Sequence, residues 1–273
     1  MPRIDSIDWG HASRVTGESA MSWHGVYSKI EPYIVSIATP DGMGTGFLFA
    51  YNADGSIVAF ATAAHVIAHA HDWKLPIKIR HYQSKQEFFI TGDDRAIFLD
   101  RQRDSASILV HTGTVADASL PAQTLPLQAP GMMMKVGVDL GWAGFPSIAY
   151  PNLCFFKGPV SSYLGESGSY LIDGVAINGV SGGPVFCDKG TNPPQLIGTV
   201  SAYMANRIGG DALPGLLRVQ DVAAFHSAIE QIKSFDDARA QQQEQSAKEV
   251  QARTATPEQA PAGGEPQPQQ DGD

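Results

Sequence analysis

Short apolar runs, broken by turn residues, carry most of this chain from about residue 30 to residue 206. Residues 33–38 are rich in β-branched side chains and predict a strand. A glycine-rich turn at 41–46 leads into an apolar run at 47–51, and the Asn-Ala-Asp-Gly loop at 52–55 turns the chain back through 56–62. Segments 75–80, 87–90 and 95–99 alternate apolar with polar positions, as half-buried antiparallel strands do. A further strand, 104–110, opens on Asp104. Residues 111–130, with Pro121, Pro126 and Pro130, read as a crossover to a second set of strands at 135–138, 140–146, 153–161, 170–173, 184–187 and 195–203. Met132, Met133 and Met134 read as filler of the core or of a barrel interface. The period then changes: Val222, Phe225, Ile229 and Ile232 share one face of a predicted helix over 217–232.

The two ends lack this patterning. Residues 1–29 read as an irregular arm that packs on the first set of strands. From about residue 236 the chain turns to Gln, Glu and Ala, then to Pro and Gly, without an aromatic residue. Such a stretch buries too little apolar surface to offset ordering entropy, so disorder is expected, with a possible helical extension at its start.

Composition changes the picture in three ways. Glycine (28) and proline (18) are frequent among 273 residues, which suits a turn-rich all-β protein. A net charge of −9 argues against nucleic acid as the main partner, because phosphate binding needs basic patches. Cys154 and Cys187 are too few for a disulfide-stapled secreted domain and read as buried thiols. The polar N-terminus and the lack of a long apolar stretch predict no membrane span, and a cytoplasmic protein.

Three stretches carry candidate chemistry. The first, at 178–186, is Asn-Gly-Val-Ser-Gly-Gly-Pro-Val-Phe, with Ser181 between glycines in a tight turn before a strand. Glycines there let the backbone turn its N–H groups toward a reacting carbonyl. The second is Thr62-Ala63-Ala64-His65-Val66, which delivers His65 at the end of a buried strand. The third is Asp104, 39 positions after His65 and 77 before Ser181, for which Asp93, Asp94 and Asp100 are alternatives. His69 and His71 stand near His65, but no cysteine or glutamate completes a zinc set, so no metal and no cofactor is expected. Gly179-Val180-Ser181-Gly182-Gly183 also satisfies the nucleophile elbow of α/β-hydrolases, yet that fold places its histidine after the serine and needs a helix there. Gly183-Pro184 follows instead, and the one later histidine, His226, lies in the predicted terminal helix.

Gly44-Thr45-Gly46-Phe47, Thr62–His65 and the Ser181 turn together resemble the trypsin-like (chymotrypsin-fold) serine peptidases, and their bacterial HtrA/Deg branch in particular. The resemblance covers about residues 30–206 and no PDZ-like domain follows. It implies two six-stranded antiparallel Greek-key β-barrels, at about 30–112 and 125–206, with a C-terminal helix at about 217–235 packed on the second barrel and a tail over 236–273. It also implies a His65, Asp104 and Ser181 triad, an oxyanion hole from the N–H groups of Gly179 and Ser181, and a protein or peptide substrate. Ser201, Ala202 and Tyr203 would line the cleft, with Val175 at the base of the specificity pocket and Ala176 beside it. These uncharged residues predict cleavage after small or medium apolar side chains. A trypsin-like scaffold kept as a binding or regulatory module is the alternative. Val180 stands where digestive relatives carry an aspartate that pairs with a freed N-terminus, so the oxyanion turn must be held by local packing or by a partner.

Overall fold

A computed structural model describes residues 22–175, 177–188, 193–208 and 211–255. The first set of strands forms one curled antiparallel sheet. Its members are β1 (Ile34–Thr39), β2 (Gly42–Tyr51), β3 (Ile57–Thr62), β4 (Ile77–His81), β5 (Glu87–Ile90), β6 (Arg95–Asp100) and β7 (Ser105–His111). They lie in the order β5-β4-β1-β2-β3-β7-β6, seven strands where the resemblance implied six. The second set closes into a six-stranded barrel: β8 (Asp139–Gly144), β9 (Cys154–Leu164), β10 (Ser169–Ile172), β11 (Pro184–Cys187), β12 (Gln195–Ile208) and β13 (Asp211–Asp221). The protein is thus all-β, with a chymotrypsin-like pair of curled sheets and a C-terminal helix. Inward-facing Val35, Ile37, Leu48, Phe60, Ile79 and Ile108 fill the first core. Trp142, Tyr170, Ile172, Ile197, Leu217 and Val219 fill the second. Each core removes its apolar side chains from water at about 25 cal/mol per Å² buried.

Several elements differ from the sequence reading. Residues 217–221 complete β13, and the last helix, α3, runs Ala223–Ala255. The apolar spacing of 217–232 fits a helix only from residue 222 on, because Leu217 and Val219 follow the period of a strand. The second barrel therefore ends at residue 221 rather than 206. The first turns of α3 pack on the first sheet: Phe225 meets Phe47 and Phe49 of β2, with ring centroids 6.0 and 5.1 Å apart. Within the separate unit that begins at Ile232, the helix continues through mostly exposed polar side chains as far as Ala255. Residues 256–273 lie outside the described residues.

The N-terminal arm contains a helix, α1 (Trp23–Ile30), which Ser22 caps by accepting the Gly25 N–H. Trp23 and Tyr27 pack against Phe155 of the second barrel, and Tyr27 also meets Tyr82, just after β4 of the first sheet. Residues 1–21 lie outside the described residues. No strand forms at 135–138, where Val138 turns back on Lys135. Met132 and Met133 are exposed, and only Met134 packs on the second core. Both cysteines are free thiols. Among the described residues no helix is long and apolar enough to cross a membrane.

Candidate active site

The site lies where the two sheets meet. β3 ends at Thr62, and the chain enters a helix absent from the sequence reading, α2 (Ala64–Asp72), whose first turn carries His65. Its N-cap position is Ala63, which has no side chain to satisfy the first helical N–H groups. Asp104 does so from the turn before β7. Its carbonyl accepts the Ala64 N–H at 3.1 Å, and its carboxylate Oδ1 accepts the His65 N–H at 2.9 Å. Asp104 sits at φ 47°, a left-handed conformation that aspartate and asparagine tolerate better than most residues.

The same carboxylate orients the imidazole. In the tautomer protonated at Nδ1, His65 donates to Oδ1 at 3.0 Å and to Oδ2 at 2.9 Å. Ser201 supplies a further donor, with its Oγ 2.6 Å from Oδ2. Burial alone would raise the Asp104 carboxyl, but hydrogen bonds from the His65 ring, Ser201 and the His65 N–H outweigh it and hold the group below its ordinary value. The Asp104 hydrogen bond raises His65 above its ordinary value, against the opposing effect of burial. This is the electrostatic arrangement that stabilises an imidazolium formed by proton uptake at the far nitrogen.

Ser201 reaches Asp104 through an irregularity in β12. Val200 pairs with Val219 and Ala202 with Arg218, so Ser201 is an extra residue between them. The bulge lets Thr199, Val200 and Ser201 all turn inward, with Ser201 only 3% exposed. Strict alternation along a strand gives no sign of this, and the sequence reading placed Ser201 only along the cleft. Ala202 is exposed. Past Val200, which bonds to the Gly182–Gly183 segment, β12 has no strand partner on its β11 side among the described residues. That edge is open to an added strand.

The Ser181 turn is pinned from both sheets. Gly179 adopts φ 94° and Gly182 φ 85°, conformations that favour glycine. A Cβ on Gly182 would lie 2.1 Å from the Thr45 carbonyl oxygen. Buried Thr45, on β2, is the central tie: its Oγ1 donates to the Gly179 carbonyl at 2.7 Å and accepts the Phe145 N–H at 3.0 Å. Its own N–H donates to the Ser181 carbonyl at 2.8 Å. The sequence reading included Thr45 in a motif but gave it no role. Val180 is fully buried in the second core. With the Asn178 carbonyl held by the Ser147 N–H, the N–H groups of Gly179 and Ser181 donate to no protein acceptor among the described residues.

Ser181, Gly179 and His65 line one cleft of about 440 Å³ together with Asp41, His69 and Ser147. Of the other predicted residues, Val175 is half-exposed, and Ala176 and the Tyr203 side chain lie outside the described residues. His69 is paired with Asp41. Among the described residues no group of three or more His, Cys, Asp and Glu side chains is placed to hold a metal ion.

No family model matches the sequence, and neither does any curated protein. Solved structures do match. An inactive form of Rv3671c from M. tuberculosis H37Rv is 21% identical, with TM-score 0.51 over 76% of this chain and 89% of that one. Deg5 is 19% identical, with TM-score 0.54 over 74% and 89%. The serine endoprotease from Yersinia pestis is 16% identical, with TM-score 0.57 over 78% and 66%. At these identities the likeness is one of fold, and the fold of this chain is the trypsin-like double barrel of the HtrA/Deg-type serine proteases.

Proposed function

We propose that the chain is a serine endopeptidase that works through His65, Asp104 and Ser181. The observation that carries the reading is the His65–Asp104 pair, bonded at 2.9–3.0 Å and facing the same cleft as Ser181. A serine hydroxyl is a weak nucleophile without an adjacent base. His65 Nε2 takes the Ser181 proton as Oγ attacks the carbonyl carbon, and returns it to the leaving amine as the acyl-enzyme forms. Water then repeats the sequence and releases the acid. Asp104 keeps the proton on Nδ1 and balances the imidazolium charge. The N–H groups of Gly179 and Ser181 bind the carbonyl oxygen as it becomes negative, a contribution of about 10²–10³ in turnover per donor in comparable sites.

The acyl half of a substrate adds as a strand to β12 along Ser201, Ala202 and Tyr203. Val175 and its sequence neighbour Ala176 are assigned to the pocket before the scissile bond on their sequence positions; neither side chain carries a charge, which favours a small or medium apolar side chain. The test is labelling with a serine-directed fluorophosphonate, together with hydrolysis of unfolded protein substrates. Wild-type chain should label and cleave, and Ser181→Ala should do neither while keeping its melting temperature. Equal labelling of Ser181→Ala would sink the reading.

A further inference from the structure

The cleft that holds Ser181 continues past His65 to a charged pair on α2 and the turn opposite it. His69 follows His65 by four residues on α2, so both rings project from the same helical face. Opposite stands the β1–β2 turn, whose Asp41 carboxylate pairs with His69 Nδ1. Both side chains are 53% exposed and both line the cleft that holds Ser181. No Lys or Arg is among the described residues that line it. His69 also leans on Trp73, with ring centroids 6.2 Å apart, and Trp73 is 70% exposed. An exposed aromatic face next to His69 adds a surface that cations favour.

The direction of a bound chain assigns this side. No β12 residue is among the described residues that line the cleft. A peptide whose acyl half lies along β12 and whose carbonyl sits at Ser181 must carry its other half past His65, toward His69 and Asp41. Accordingly we propose that the Asp41–His69 pair is a specificity subsite for a cationic side chain, Lys or Arg, in the first residues after the scissile bond. This deepens the serine-endopeptidase reading and rests on it. When neutral, His69 donates Nδ1–H to Asp41 and fixes the carboxylate without cancelling its charge, so the substrate cation meets a placed anion. The effect is modest, because the pair is half-solvated: about a two- to fivefold preference for cationic over acidic residues, the size of an exposed ion pair.

The test maps cleavage sites in a mixed peptide library by mass spectrometry, with fluorophosphonate labelling of Ser181 run in parallel. Wild-type chain should enrich Lys and Arg over Asp and Glu after the cleaved bond, and the bias should fade between about 0.05 and 0.5 M salt as screening grows. Asp41→Asn should erase the bias, and Asp41→Lys should turn it toward acidic residues. Labelling with cleavage sites free of cationic bias, or a bias that survives Asp41→Lys, overturns the subsite and leaves the peptidase reading standing. Failure to label and to cleave overturns both. The salt series on wild-type chain decides the matter even if a variant does not fold.

Discussion

Replacing Asp104 by asparagine exchanges one oxygen for an amide and keeps the shape, so it isolates what the charge does. The local hydrogen bonds dictate how the amide must sit. Oδ1 accepts the His65 N–H at 2.9 Å, a backbone donor that cannot turn away, so the asparagine oxygen must take that position. Its NH₂ group then occupies the Oδ2 position, 2.9 Å from His65 Nδ1 and 2.6 Å from Ser201 Oγ. An NH₂ there donates to Nδ1, which moves the imidazole proton to Nε2. The ring then presents a donor where Ser181 needs an acceptor. The expected loss is about 10⁴ in kcat, the scale for a wrong tautomer in this kind of triad, or about 5 kcal/mol. The helix cap on α2 survives, so unfolding should be perturbed far less than catalysis.

The pH dependence of Asp104→Asn follows from the two shifts. The carboxyl of Asp104 is lowered, so its contribution to stability is present above its unfolded value and is lost as pH falls through the folded one. His65 is raised, so its contribution is present below its unfolded value and is lost as pH rises through the folded one. The melting-temperature deficit of the variant should therefore be widest between about pH 4 and pH 6.5. It should stay small, because the His65 side chain is half-exposed. In the kinetics, burial remains while the hydrogen bond that raises His65 is gone, so the acid limb of residual kcat/KM should move to lower pH. The assay is kcat/KM on a chromogenic peptide across pH, beside thermal melts in the same buffers. A variant within about tenfold of wild type would refute the tautomer argument, because it would mean that Nδ1 stays protonated and donates to the asparagine oxygen, 3.0 Å away at the Oδ1 position.

Two further substitutions probe the turn. Thr45→Val removes the hydroxyl that bridges the Gly179 carbonyl and the Phe145 N–H, leaving two buried groups unpaired; thermal melts should show a loss of about 2–5 kcal/mol, and turnover should fall with the oxyanion turn. Gly182→Ala places a methyl 2.1 Å from the Thr45 carbonyl oxygen and 2.2 Å from Thr62 Oγ1 at φ 85°; denaturant unfolding should show at least about 3 kcal/mol of destabilisation or an insoluble product.

Legibility in the sequence followed the range of the interactions. Strand β4 stands out because burial on one face repeats along the chain, and β3 and β7 stand out as short runs buried along nearly their whole length. The three candidate catalytic side chains were legible because each sits in a short motif. α2 was not, since its first turn is capped by Asp104 from 40 positions away instead of by a residue before it. The apolar spacing of 217–232 merged a strand and a helix because β13 runs almost directly into α3.

The same distinction explains how the Ser181 turn is held with no ion pair at it among the described residues. Where an aspartate before the serine would seek a freed N-terminal ammonium, this chain has Val180, fully buried in the second core. Burying a side chain of that size contributes about 1.5–3 kcal/mol and requires no desolvated charge. It cannot orient the peptide groups on either side, because apolar contact is not directional. Direction comes from hydrogen bonds: across the barrel boundary the Thr45 hydroxyl fixes the Gly179 carbonyl and its N–H that of Ser181, while Ser147 and Val200 hold Asn178, Gly182 and Gly183 from the second barrel's side. Thr45 lies on β2, next but one to β7 in the first sheet, and β7 follows directly on Asp104. One sheet therefore positions the charge partner of His65 and shares in fixing the backbone around Ser181, and the second barrel supplies the buried anchor and the remaining backbone bonds.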